Sequence, residues 1–85
     1  MIEPRPSVLL VDDDAKSIEI LAAVLETHGF DTTLAKAPEI AVQLLRTIAF
    51  DAVVTDVVFD CFAEGNLVLS ASRELQPKAV VVLMT

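Results

Sequence analysis

The sequence is poor in several things that would each point to a different kind of protein. It has one cysteine, Cys61, so no internal disulfide can form, and a cytoplasmic home is the default. It has no apolar run approaching the ~20 residues that a membrane span requires. The opening stretch, Met1-Ile2-Glu3-Pro4-Arg5-Pro6, lacks the apolar centre of a secretory signal. Cations are scarce: six Lys and Arg against thirteen Asp and Glu, for a formal net charge of -7 and a pI of about 4.3. That balance gives no general attraction to phosphate backbones, which argues against direct nucleic-acid binding. A cation, or the basic face of a protein partner, suits it better. No repeat, low-complexity tract or linker divides the 85 residues, which suffice for one small domain.

What is present in excess is apolar side chain. Hydrophobic residues make up 54% of the chain and the mean hydropathy is +0.62, so most of them must be buried. Val8-Leu9-Leu10-Val11 runs straight into Asp12-Asp13-Asp14. A short apolar run without polar alternation predicts a strand buried on both faces, as in a parallel sheet. From Ala15 the period turns helical, with Ile18, Leu21, Ala22, Leu25 and His28 as the expected stripe. Asp14 is positioned to cap that helix. Gly29 ends it, and Phe30 is expected to fold back on Leu25. Asp31 to Lys36, rich in Thr, suits an edge strand.

Pro38 stands at the start of a second helix, where its missing N–H is harmless, with Ile40, Ala41, Leu44, Leu45 and Ile48 as its stripe. Asp51 to Val57 predicts a central strand. Val58 to Gly65 predicts a loop. Asn66 is expected to cap a third helix reaching about Leu75, with Leu67, Val68, Ala71 and Leu75 inward, and Pro77 stops it. Ala79 to Met84 is a wholly apolar fourth strand. Strands alternating with helices imply right-handed crossovers and a parallel α/β sheet with helices on both faces.

In such sheets the working site lies beyond the carboxyl ends of the strands. The first strand ends in Asp12 and Asp13, and the third ends in Asp56. If the two strands are neighbours, the three acids converge. Adjacent carboxylates repel, and a divalent cation removes the conflict. Oxygen ligands and partial hydration are what Mg²⁺ prefers, so the cluster points to metal-assisted handling of a phosphoryl group. A carboxylate can itself be the nucleophile there. Acids after strands often serve only as helix caps. That ordinary reading is preferred for Asp14 and is weaker for Asp12 and Asp13, because a buried strand end is a poor place for unpaired charge.

These residues together resemble the receiver domain of two-component response regulators. The matching pieces are Val8 to Asp13, the helix ending at Gly29-Phe30, Phe50-Asp51-Ala52-Val53-Val54-Thr55-Asp56, and Ala79 to Thr85. The resemblance implies a flavodoxin-like α/β fold with strand order 2-1-3-4 and a cytoplasmic signalling domain rather than an enzyme. It implies that Asp56 accepts a phosphoryl group from a sensor histidine kinase or phosphotransfer protein. Asp13 would ligate Mg²⁺ directly and Asp12 through water. The Asp56 carboxylate and the backbone carbonyl of Val58 would be further ligands, and Thr85 the switch hydroxyl that hydrogen-bonds the phosphoryl group.

Two departures from the family accompany the match. Receivers carry a Met-Pro pair soon after the phosphoacceptor and then Asp-Gly. Here residues 58–65 contain no proline, are one residue longer and add the acids Asp60 and Glu64. The family also has five strands and five helices, whereas this sequence matches through the fourth strand. On that count 1–85 is a receiver without the fifth strand, its lysine and the last two helices. Lys16, Lys36 and Lys78 do not match that lysine. Lys16 lies near the pocket end of the first strand, although a solvated helix lysine is its ordinary reading.

The fourth strand then becomes an apolar edge, a template for pairing with a second copy. An interaction module that dimerises through this strand is therefore the second functional reading. A third is a fragment of a haloacid-dehalogenase-like phosphatase, with Asp12 and Asp14 as its Asp-x-Asp and Thr85 as its later hydroxyl. That family expects Thr or Val where this chain has Lys16, and it leaves Asp56 without a role. His28 reads as a helix-end residue complementing the dipole, and Cys61 as an ordinary loop position.

Overall fold

The computed structural model describes residues 5–56 and 62–84, with side chains described at 5–55 and 68–83. The elements are β1 (Ser7–Val11), α1 (Ala15–Thr27), β2 (Asp31–Ala35), α2 (Pro38–Thr47), β3 (Ala52–Asp56), α3 (Phe62–Leu75) and β4 (Val80–Met84). The strands pair in parallel in the order β2-β1-β3-β4, the flavodoxin-like order that the resemblance implies. β2 lies at one edge and β3 is central, as their compositions predict.

Alternation along the strands sorts the core into two layers. Leu9, Val11 and Val53 pack with Ala41 and Leu45 of α2 and with Val68 and Ala71 of α3. Val8 and Leu10 face the other way, onto Ile18 and Ala22 of α1. Each large side chain fully buried this way contributes ~1.5–3 kcal/mol. The sheet is thus sandwiched, and its two acid-bearing strands, β1 and β3, are adjacent.

Local chemistry explains where α1 begins and ends. The Asp14 carboxylate accepts from the amides of Lys16 at 3.1 Å and Ser17 at 3.5 Å, satisfying donors that the first helical turn leaves open. At the other end Gly29 has φ +90. The Gly29 amide donates to the Glu26 carbonyl at 3.1 Å and the Phe30 amide to the Leu25 carbonyl at 3.1 Å. This is the paired closure that a left-handed glycine permits. His28 Nδ1 lies 2.8 Å from the Val24 carbonyl, so its ring closes the helix end and is exposed rather than part of the buried stripe.

Four further expectations need correction. α3 starts at Phe62, so Asn66 lies inside it rather than at its start, and residues 62–65 are helical rather than loop. Phe62, Ala63 and Glu64 can all continue a helix, and an acid in the first turn favours the dipole. Ile48 is exposed because α2 has already ended: it is the C-cap, with extended backbone. Ile40 is exposed because Pro38, Ala41 and Leu45 set the buried face of α2. Leu75 is exposed as the last residue of α3.

Side chains tie the amino ends of the strands together. The Ser7 amide donates to Asp51 Oδ2 at 2.7 Å. The Asp51 amide donates back to the Ser7 carbonyl at 2.8 Å, and the Asp51 carbonyl accepts from the Val80 amide at 3.0 Å. Gln76 Oε1 accepts from the Phe50 amide at 2.6 Å. Its Nε2 donates to the carbonyls of Leu45 at 3.0 Å and Ile48 at 2.5 Å. β4 is the opposite edge from β2, and three of its side chains are open to solvent: Val80 at 63% and Val82 and Leu83 at 46% each. Among the described residues no helix is long and apolar enough to cross a membrane.

Candidate functional site

Strand register builds the site. Val11 of β1 stands opposite Thr55 of β3. The next residues, Asp12 and Asp56, therefore close neighbouring strands about 4.8 Å apart in the hydrogen-bonding direction. Asp56 is in turn opposite Met84, the residue before Thr85. The neighbouring strands required for convergence are thus in place at the carboxyl end of the sheet, where open parallel sheets hold their ligands.

The individual acids differ in setting. Asp12 is 7% exposed, and its backbone amide donates to the Ala35 carbonyl of β2 at 3.1 Å. Its Oδ1 accepts from the Asp14 amide at 2.9 Å, a local turn that fixes the direction of the carboxylate. Asp13 is exposed beside it. Asp14 is also exposed but already employed: besides its two amides it accepts from Ser17 Oγ at 2.8 Å. The Ser17 hydroxyl, with the Ser17 and Lys16 amides, holds the Asp14 carboxyl below the usual aspartate range. Thr55, just before Asp56, is fully buried. Lys16 is exposed on the first turn of α1. The Asp56 side chain, Val58, Asp60, Cys61 and Thr85 lie outside the described residues, as does the atypical part of the loop after β3.

Among the described residues, no three His, Cys, Asp or Glu side chains gather as a metal-binding group. The third acid of the expected set, Asp56, falls outside that comparison. Among the described residues the donors at the end of β1 are the Asp12 and Asp13 carboxylates, which fit a hard divalent cation. The capping duty of Asp14 speaks against Asp12 and Asp14 acting as a phosphatase pair. The turn made by Asp12 was not anticipated from the sequence. An Asp two residues before a helix cap is its only signal.

The chain has relatives among known proteins. It matches the model of the response regulator receiver domain family over residues 8–85. It is 32% identical over 85 residues to the transcriptional regulatory protein ZraR of Salmonella typhimurium, spanning 100% of this chain and 19% of that protein. It is 33% identical over 79 residues to the photosynthetic apparatus regulatory protein RegA of Rhodobacter capsulatus, spanning 93% and 42%. The chain therefore covers less than half the length of either relative. A response regulator receiver protein from Sinorhizobium medicae WSM419 superposes with a TM-score of 0.84 at 30% identity, over 93% of this chain and 64% of that one. A response regulator from Burkholderia pseudomallei, solved with a phosphorylated aspartic acid, a calcium ion and citrate, superposes with a TM-score of 0.84 at 23% identity. The overlap is 92% of this chain and 45% of that one, and at that identity it speaks for the fold alone.

Proposed function

This chain belongs to the response regulator receiver domain family, a family of signalling domains, and from that premise we propose that Asp56 is its phosphoacceptor. The observation that carries the reading is the β1–β3 register, which sets Asp12 and Asp56 at neighbouring strand ends. An Asp56 carboxylate oxygen attacks the phosphorus of a phosphohistidine on a kinase or phosphotransfer protein. The N–P bond breaks, an O–P bond forms, and the leaving imidazole takes up a proton. Asp13 directly, Asp12 through water, and the Asp56 carboxylate with the Val58 carbonyl would hold Mg²⁺, which when bound offsets charge on the phosphoryl oxygens. The turn from Asp14 to Asp12 keeps one of these carboxylates aimed without further ordering. The Thr85 hydroxyl would donate to a phosphoryl oxygen and report the modification to an output partner. The cytoplasm, where such kinases present their phosphohistidine, is the compartment this reading requires.

Incubation with a small phosphodonor and Mg²⁺ tests the assignment. Intact-mass analysis is expected to find one added phosphoryl group, absent without metal and absent in Asp56→Asn. Label persisting in Asp56→Asn overturns the choice of residue.

A further inference from the structure

At the end of the sheet opposite Asp56, α2 and α3 give way to the segments 48–51 and 76–79 that lead into β3 and β4. Between them lies a cleft of about 490 Å³, within the ~300–1,000 Å³ of ordinary ligand pockets. Its lining includes Ile48, Phe50 and Leu75, together with Arg46 and Lys78, and no acidic residue. Ile48 and Leu75 are two of the large apolar side chains the fold leaves exposed. Arg46 and Lys78 are exposed as well. They are two of only six cations in a chain of net charge -7.

The cleft is built rather than incidental. Gln76 ties its two walls with three hydrogen bonds, to Phe50, Leu45 and Ile48. A preformed apolar trough flanked by cations, on an otherwise acidic molecule, has a complementary occupant of definite chemistry. We propose that it docks a segment of a partner protein that carries aliphatic side chains flanked by Glu or Asp. The aliphatic groups would cover Ile48 and Leu75, and the carboxylates would meet Arg46 and Lys78. Apolar groups desolvated at the centre of a patch supply affinity, and complementary charges around it supply selectivity. Strands of this length hold the cleft about 20 Å from Asp56, so the proposal does not depend on the phosphoacceptor reading.

The probe is a fluorescein-labelled twelve-residue helical peptide of Leu and Glu, compared with the same peptide carrying Lys for Glu. Amide shifts on the 85-residue protein locate the contact. The acidic peptide is expected to bind saturably and to move amides in 45–50 and 75–79, and the basic peptide to bind at least tenfold more weakly. Arg46→Glu with Lys78→Glu is expected to weaken the acidic peptide tenfold or more and to strengthen the basic one. Both side chains are exposed, so folding should survive, and Arg46→Gln with Lys78→Gln gives a milder version of the same loss. Asp56→Asn should bind as the parent does. Equal binding of both peptides, shifts centred on β4 or α1, or no saturation with the acidic peptide would each overturn the proposal.

Discussion

Replacing Gln76 by alanine removes three hydrogen bonds at a stroke. The Leu45 and Ile48 carbonyls sit where α2 ends and have no helical amide left to receive. The Phe50 amide belongs to a residue that is 6% exposed. Each lost bond costs a net ~0.5–1.5 kcal/mol, and a buried amide left without a partner adds desolvation. The sum is about 2–4 kcal/mol, a large share of the ~5–15 kcal/mol that holds a domain of this kind together. For a chain of this size the melting temperature should fall by roughly 8 °C or more. Urea titration followed by circular dichroism measures the free energy directly. Gln76→Glu retains the acceptor for Phe50 but turns a carboxylate toward two carbonyl oxygens. It should be at least as harmful at neutral pH and should recover as that carboxylate is protonated in acid. An alanine variant within 0.5 kcal/mol of the parent, on the scale of ordinary surface substitutions, would refute the idea that this side chain joins the two loops.

Ile18→Ala should cost ~2–5 kcal/mol, because Ile18 is fully buried against β1. Ile20→Ala on the exposed face should stay within ~0.5 kcal/mol, and chemical denaturation separates the two. Asp14→Ala should lower the melting temperature while Asp14→Asn, which keeps an acceptor, restores most of it. Because the Asp14 carboxyl is held below its ordinary value of 3.8, its contribution is present above that value and is lost as the pH falls through the lowered one. An acid melting series in which Asp14→Asn loses stability as steeply as the parent would count against the cap.

Pattern alone carried the order of elements, because both periods are strong here: unbroken apolar runs for β1, β3 and β4, and helical spacing around Ile18, Ala22 and Leu25. Asp14 and Gly29 marked the ends of α1 because capping and left-handed backbone each demand few residue types. The errors fall where the signal is indirect. Ile40, Ile48 and Leu75 are as apolar as true core residues, and only the position of each helix end and the facing of Pro38 and Ala41 decide that they are exposed. The start of α3 was hidden by Gly65 and Asn66, which usually mark ends rather than interiors. The links made by Gln76 and Asp51 cross 26 and 44 residues and have no local signature. The pairing of Asp12 with Asp56 was legible only as a conditional: each acid ends an apolar strand, but their adjacency required the β1–β3 register.

The central claim is that the acids at the ends of β1 and β3 form one metal-dependent phosphoacceptor pocket. Fluorine NMR with beryllofluoride, a stand-in for the phosphoryl group on a carboxylate, tests it most directly. A bound resonance is expected only with Mg²⁺ present, lost in Asp56→Asn and weakened in Asp13→Ala. A bound resonance that survives in Asp56→Asn, or that forms without metal, would contradict the claim.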